Sequence, residues 1–381
     1  MRIGIDYTAA VHQGAGIGRY TRNLIRTLAR LDADNEYCLF VAGGRGKGDG
    51  LGPWPANFRI RSVPLSDRWL HLLWQRLRLP VPVQVITGSL DLFHSPDFVL
   101  PPVGRTPAVL TVHDLSFMRV PQFFVPGFRD YLERAVGRAA RRARHILADS
   151  ESTRRDLVEL LAVEPERVTV LYPGVESRFR PVQDEQSLAR VRARYRLPDR
   201  FVLGLSTLQP RKNFEGLIEA YSRLLAGRGS EPGIADLKLV IVGGKGWMYE
   251  DALALVERRG LSERVRFTGF AEDWDLPAIY SLASVFAFPT WYEGFGLPAL
   301  EAMACGTPVV AADNSSLPEV VGEAGLLVDA ADADGLAEAL ARLVLGQGLR
   351  ERLIGAGFEQ AQRFRWEDAA KQLLEVYRAF V

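Results

Sequence analysis

Val285-Phe286-Ala287-Phe288 leads, past Pro289-Thr290-Trp291, into Tyr292-Glu293-Gly294-Phe295-Gly296-Leu297-Pro298-Ala299-Leu300-Glu301-Ala302-Met303-Ala304-Cys305-Gly306. An unbroken apolar run of this kind is what a strand buried on both faces requires. Gly294 and Gly296 mark a turn that brings bare backbone close to a ligand, and Pro298 suits the first position of a helix. The segment reads as strand, tight turn and helix start, the repeating unit of a parallel sheet covered by helices. A helix start aims unpaired N–H groups and the positive end of its dipole at an anion. Glu301 sits one turn inside, where it could accept from ribose hydroxyls, and Glu293 sits ahead of the turn, where it could meet a sugar ring. The plainer reading is a glycine turn with two surface glutamates. Turn, proline, helix start and both carboxylates agree with one another, which weighs against it.

The same alternation of short apolar runs and amphipathic stretches extends in both directions. Before residue 175 the strand candidates are Ile3–Asp6, Tyr37–Val41, Phe58–Val63, Leu92–His94, Val109–Val112, His145–Ala148 and Val168–Leu171. After residue 200 they are Phe201–Leu205, Leu237–Val242, Val265–Phe267, Val285–Phe288, Pro308–Ala311 and Leu326–Val328. Helices are expected between them, among them Gly18–Leu31, Gly127–Arg144 and Asn213–Ala226. The fold class is therefore α/β with two mainly parallel sheets. A chain of 381 residues is too long for one ordinary core. The expected division is a first domain over 1–175, a polar linker over 176–200 with Pro181 and Pro198 as breakers, and a second domain over 201–365. A last helix, 366–381, could pack back on the first domain.

Composition is that of a globular protein, 48% hydrophobic and 24% charged. No basic segment followed by an apolar one opens the chain, and no apolar run is long enough to span a membrane, so neither a signal peptide nor a membrane helix is expected. Cys38 and Cys305 lie in apolar stretches and read as buried thiols in a reducing, cytoplasmic setting. Residues 1–175 carry 23 Lys+Arg against 17 Asp+Glu, and the remainder 24 against 29, which suggests an anionic partner for the first half. Overall charge is near neutral and no aromatic–basic recognition motif occurs, so nucleic acid is not an expected partner.

Three further motifs carry chemistry. After the first strand comes Gln13-Gly14-Ala15-Gly16-Ile17-Gly18-Arg19-Tyr20. Such a turn can cradle a phosphate or simply be tight, and its spacing does not match the dinucleotide fingerprint. Glu36 precedes the second strand instead of ending it, which disfavours a nicotinamide dehydrogenase. His113-Asp114 ends the run Val109–Val112, on the edge where open α/β sheets bind ligands; a histidine bonded to backbone there is the alternative. Strand Phe201–Leu205 leads into Ser206-Thr207-Leu208-Gln209-Pro210-Arg211-Lys212-Asn213, where two adjacent cations at a strand-to-helix turn suit a diphosphate or are solvated surface charges.

Glu293 to Glu301 resembles the E-x7-E segment of retaining glycosyltransferases with the two-domain B architecture, family 4 in particular. Gly16-Ile17-Gly18, His113-Asp114, Arg211-Lys212-Asn213 and Phe267-Thr268-Gly269-Phe270 are similar to that family's other landmarks, in order, over nearly the whole chain. The resemblance implies two Rossmann-like domains facing across a cleft, the first binding the acceptor and the second the nucleotide-sugar. It implies that Gly16 and Gly18 face the donor phosphate and acceptor, and that His113 lies beside the transferred sugar. Arg211 and Lys212 would neutralise the leaving diphosphate, and Glu293 would bind sugar hydroxyls. Amides of Phe295, Gly296 and Leu297 would hold sugar and phosphate, Glu301 the ribose, and the loop of Gly269 and Phe270 would lie near the base.

Tyr172-Pro173-Gly174-Val175 and Asn314-Ser315-Ser316-Leu317-Pro318-Glu319 are similar to mannosyltransferases, so GDP-mannose is the expected donor and a saccharide or lipid-linked acceptor the expected partner. A sugar-nucleotide epimerase and a non-catalytic sugar-nucleotide-binding module are the alternatives. Asp-x-Asp triplets at Asp32-Ala33-Asp34, Asp273-Trp274-Asp275 and Asp332-Ala333-Asp334 could hold Mg²⁺ or Mn²⁺, but none directly follows a buried strand. They read as helix caps, and no cofactor or divalent metal is expected. Trp69-Leu70-His71-Leu72-Leu73-Trp74 with Arg76 and Arg78, and the arginines 129, 134, 138, 141, 142 and 144, could seat the protein on the inner face of a membrane or be core and solvated surface.

Overall fold

The apolar runs form two sheets whose strand pairs are all parallel. In the first, β1 (Arg2–Asp6), β2 (Glu36–Ala42), β3 (Phe58–Val63), β4 (Leu92–Ser95), β5 (Ala108–Val112), β6 (His145–Ala148) and β7 (Val168–Val170) lie in the order β3-β2-β1-β4-β5-β6-β7. In the second, β8 (Phe201–Leu205), β9 (Lys238–Val242), β10 (Val265–Gly269), β11 (Val285–Phe288), β12 (Val309–Ala312) and β13 (Gly325–Val328) lie in the order β10-β9-β8-β11-β12-β13. Every position of β5, β6, β11 and β12 is buried, as strands covered by helices on both faces must be. In each sheet the order reverses beside the first strand, between β1 and β4 and between β8 and β11. The crevice outside the strands' carboxyl ends at such a point is where doubly wound sheets bind ligands.

The computed structural model describes residues 1–14, 16–44, 52–66, 69–70, 72–77 and 79–380. It divides into two units, Met1–Gly174 with Arg365–Val381, and Val175–Phe364. The helix Trp366–Arg378 belongs to the first unit, where its Ala370, Leu373 and Tyr377 are fully buried in one core with Ile3, Ile5 and Leu24. Tyr377 Oη and His94 Nδ1 share a hydrogen bond of 2.7 Å inside that core. Gly174 is required at the crossing, since a Cβ there would stand 2.2 Å from the Trp366 nitrogen.

The expected linker over 176–200 is corrected by the structure. Asp184 caps a helix, Glu185–Tyr195, by accepting from the Ser187 amide, and Val191 is fully buried. Arg190 (3.1 Å), Arg194 (2.9 Å) and Tyr195 (2.9 Å) all reach the buried Asp275 of the second unit. A stretch with few apolar residues looks like a linker by composition, yet Phe179, Val191 and Leu197 are buried and three of its side chains converge on one buried carboxylate. The second unit accordingly starts at Val175 and not at 201.

The basic helix runs Pro126–Arg142, and part of its charge is used internally. Arg142 donates to the Leu100 and Pro101 carbonyls, Arg129 pairs with Asp130, and Arg144 lies over the Phe380 ring. In the aromatic stretch Trp69 is 58% exposed and Leu70 buried. Ala15, His71 and Arg78 lie outside the described residues, as does the Arg76 side chain. No helix among the described residues is long and apolar enough to cross a membrane. Cys38 and Cys305 are free and buried.

Candidate functional site

Because β8 and β11 are neighbours, with Val285 beside Val202, the loops that leave their carboxyl ends must meet. The first loop carries the turn Pro210–Lys212 and the second Tyr292 to Gly296. Lys212 Nζ stands 2.6 Å from Glu293 Oε1, and Arg211 Nη1 stands 3.4 Å from Glu293 Oε2. Arg211 also donates to the Tyr292 carbonyl, and its own carbonyl accepts from the Trp291 amide at 2.9 Å. Lys212 lies over the Phe288 ring, 5.7 Å from its centre. Two cations and one carboxylate, with Lys212 and Glu293 buried and Arg211 partly so, give these three side chains a net positive charge.

The helix that follows is Leu297–Ala304, with Gly296 as its cap at φ 111°. Only glycine adopts that conformation readily, and a Cβ there would also press on Leu317. Leu297 takes the first helical position and Pro298 the second, one residue later than the sequence suggested. Ser316 Oγ donates to the Glu293 carbonyl (3.0 Å) and the Phe295 carbonyl (2.7 Å), and the Glu293 amide donates to Ser315 Oγ (2.9 Å). Glu301 is 1% exposed and accepts from the Tyr280 hydroxyl at 3.1 Å. Gly269 faces open space and Phe270 is 62% exposed.

Asn213 ties the cluster together. It sits at φ 54°, caps the helix Phe214–Arg228 through the Gly216 amide, and donates to the carbonyls of Pro289 (2.9 Å) and Ala330 (2.8 Å). Gln209 Oε1, Arg211 Nε and Thr290 Oγ1 are buried on the same two loops without a hydrogen-bond partner. Orphaned polar atoms are uncommon in folded interiors, and a ligand is one ordinary reason for them.

In the first unit His113 follows β5 directly. Its Nδ1 stands 2.7 Å from Asp149 Oδ2 and its Nε2 3.2 Å from the Pro96 carbonyl. Both neighbours are acceptors, so both ring nitrogens donate and the imidazole is protonated. Burial pushes its pKa down, but the charge and hydrogen bond of Asp149, with Asp97 and the Pro96 carbonyl, outweigh this and raise it to about 9. The glycine turn divides: Gly16 opens the helix Gly16–Leu31 facing open space, whereas a Cβ on Gly18 would strike the Gln13 carbonyl at 2.0 Å. Gly18 is thus explained by packing of the turn on itself.

The description "Glycosyl transferases group 1" matches residues 189–360, and "Glycosyltransferase Family 4" matches residues 14–179. The chain is 34% identical over 375 residues to the O-antigen chain mannosyltransferase B of Escherichia coli, covering 95% of this chain and 96% of that one. It belongs to the group 1, family 4 glycosyltransferases. A D-inositol 3-phosphate glycosyltransferase of Salinispora tropica is 35% identical over 311 residues, covering 76% of this chain and 64% of that one. Sucrose-phosphate synthase from Thermosynechococcus elongatus shares the fold at a TM-score of 0.77 and 24% identity, covering 100% of this chain and 98% of that one. The epimerase, dehydrogenase and non-catalytic readings give way to this membership.

In this glycosyltransferase the sequence reading passed over Asp149 and the clamping roles of Asn213, Ser315 and Ser316. Asp149 had a signal. β5 and β6 pair with Val112 beside Ala148, so the polar residue just past each apolar run falls opposite the other. The Asp-x-Asp carboxylates have structural partners: Asp32 holds Asn35 and Tyr37, Asp275 the two arginines, and Asp332 caps its helix.

Proposed function

We propose that this glycosyltransferase moves a hexose, mannose from GDP-mannose, onto a saccharide or lipid-linked acceptor with retention of anomeric configuration. The first unit binds the acceptor and the second the nucleotide-sugar. The observation that carries the reading is the cluster of Arg211, Lys212 and Glu293 beside the helix start at Leu297. Breaking the anomeric C–O bond builds negative charge on the diphosphate and positive charge on the sugar. Buried cations and first-turn amides of Gly296 and Leu297 stabilise the former, and being held in place they need no reorganisation as the charge develops. Glu293 takes sugar hydroxyls; with one oxygen on Lys212 and the other on Arg211 it is poorly suited to attack carbon. Retention then follows from same-face attack, with the departing phosphate accepting the acceptor's proton. Glu301 takes the ribose and Phe270 packs on the base.

Similarity over the whole length to a relative named as a mannosyltransferase supports mannose as the sugar. The engaged Asp-x-Asp carboxylates support a transfer that needs no divalent metal. Exposed Trp69 and the basic helix support contact with the membrane that carries a lipid-linked acceptor. Thermal-shift screening against GDP-, UDP-, ADP- and dTDP-sugars tests the donor, because a ligand of the native state raises the melting temperature. GDP-mannose is expected to give the largest rise. A larger rise with a UDP-sugar overturns the donor assignment, and an inverted anomeric centre in the product overturns retention.

A further inference from the structure

Tyr280 lies in the helix Leu276–Leu282, which leads into β11, and Glu301 in the helix Leu297–Ala304, which follows it. Both side chains are buried. The Tyr280 hydroxyl donates to Glu301 Oε2 at 3.1 Å. The Tyr280 ring meets Phe286 edge to face, 5.6 Å between centres, and Phe179 at 6.1 Å, so the hydroxyl has a fixed place. A second bond ties the same two segments: Thr307 Oγ1, just past the Glu301 helix, donates to the Tyr280 carbonyl at 2.6 Å. Side chains on a helix lean toward its N-terminus, so Glu301 heads for the end where Gly296 and Leu297 present their amides. A carboxylate taken out of water needs hydrogen-bond donors, and the position of a rigid donor selects among its orientations. The Cys305 thiol, one turn further on, adds no rival charge. Burial, and then the charge of Glu301, push its pKa up, so it stays protonated.

We propose that Tyr280 is a positioning residue of the donor site: its hydroxyl holds the Glu301 carboxylate in the orientation that takes the ribose hydroxyls, and so sets the preference for a ribonucleotide over a deoxynucleotide. The proposal rests on the reading of Glu301 as the ribose ligand. A carboxylate that must meet two vicinal hydroxyls does so only within a narrow range of directions. A donor bonded to one of its oxygens narrows that range before the ligand arrives. Without the hydroxyl the carboxylate keeps its charge and its other neighbours but gains orientations, and the ordering then falls on ribose binding. Being fully buried, Tyr280 touches no substrate itself and acts through Glu301.

The test is calorimetric titration of the full chain with GDP, UDP and ADP, each against its 2′,3′-dideoxy counterpart, in wild type, Tyr280→Phe and Glu301→Ala. Wild type should bind at least one ribonucleotide about tenfold or more tightly than its dideoxy form, the size of one charge-assisted hydrogen bond. Tyr280→Phe keeps the packed ring and should lose most of that preference, with its affinity for the dideoxy form within about twofold of wild type. A folded Tyr280→Phe protein that keeps the preference, or that binds both forms more weakly in equal measure as a purely structural loss would, overturns the proposal. Should that variant not fold, Thr307→Val, which removes the second tie and leaves the hydroxyl in place, decides instead: a reduced preference supports the proposal and an undiminished one overturns it. Preference lost in Glu301→Ala but kept in Tyr280→Phe rejects the positioning role alone. No preference in wild type, or one kept in Glu301→Ala, rejects Glu301 as the ribose ligand and the proposal with it, and no binding of any diphosphate in wild type rejects the donor site.

Discussion

The two sheets reverse their strand order at equivalent places, and their carboxyl edges carry opposite chemistry. Past β1 and β4 stand Asp6 and Asp97, in a cavity with an aromatic wall. Past β8 and β11 stand Arg211, Lys212 and Glu293 beside a helix start. The backbone problem is solved the same way twice, with buried parallel strands and loops that must meet at the switch point. The difference lies in which side chains those loops carry and what holds them. In the second unit Asn213, Ser315 and Ser316 lock two cations around one carboxylate. In the first, His113 is held protonated between Asp149 and a carbonyl.

The largest effects should come from removing charge at the second edge. Lys212→Ala and Arg211→Ala should each lower kcat by roughly tenfold to hundredfold, as loss of one charge-assisted bond implies. The double variant should fall short of the product of the two, because both cations engage Glu293. Wild-type turnover in folded Lys212→Ala protein would remove the distinction between the two edges.

Asn213→Ala removes a helix cap and two bonds to carbonyls on other segments, and should cost about 2–3 kcal/mol of stability in denaturant titration. A cost below about 0.5 kcal/mol, within the usual effect of a surface substitution, would mean that the loops keep their place without it.

A smaller effect should mark the first edge by its pH dependence. The His113 pKa rises from 6.5 to about 9 on folding, so its stabilisation is complete below pH 6.5 and is lost as pH climbs through 9. Of the groups around it, Asp149 and Asp97 favour the proton, while His94, pushed down to about 3 by burial, stays neutral throughout. Hydrogen exchange at β5 and β6 amides should show a loss of about 1–3 kcal/mol across that window. Asp149→Asn should flatten it, and an unchanged profile in that variant would place the titration elsewhere. The smallest effect should be that of a chelator: turnover in EDTA is expected within about twofold of its absence, and a full loss restored by Mn²⁺ would assign a metal to carboxylates now counted as structural.

Much of this was legible in the sequence, for a physical reason. Strands buried on both faces are continuous apolar runs, so His145–Ala148, Phe201–Leu205 and Val285–Phe288 end where expected. The Arg211–Lys212 turn and the Glu293–Glu301 segment were visible because each is local. What escaped depends on register or on distant partners. Asp149 meets His113 only because β5 and β6 pair as they do. The helix Glu185–Tyr195 is fixed by Asp275, 80 to 85 residues further along the chain. The short helix Thr8–His12, whose residues reach the first unit's cavity, shows no apolar period over its length.

The central claim is that Arg211, Lys212 and the helix start at Leu297 bind one diphosphate. Calorimetric titration of a nucleoside diphosphate against its parent nucleoside, in wild type and in Arg211→Ala/Lys212→Ala, tests it most directly. Wild type should prefer the diphosphate by about a hundredfold or more, and the double variant should lose most of that preference. Undiminished preference in the folded double variant would contradict the account.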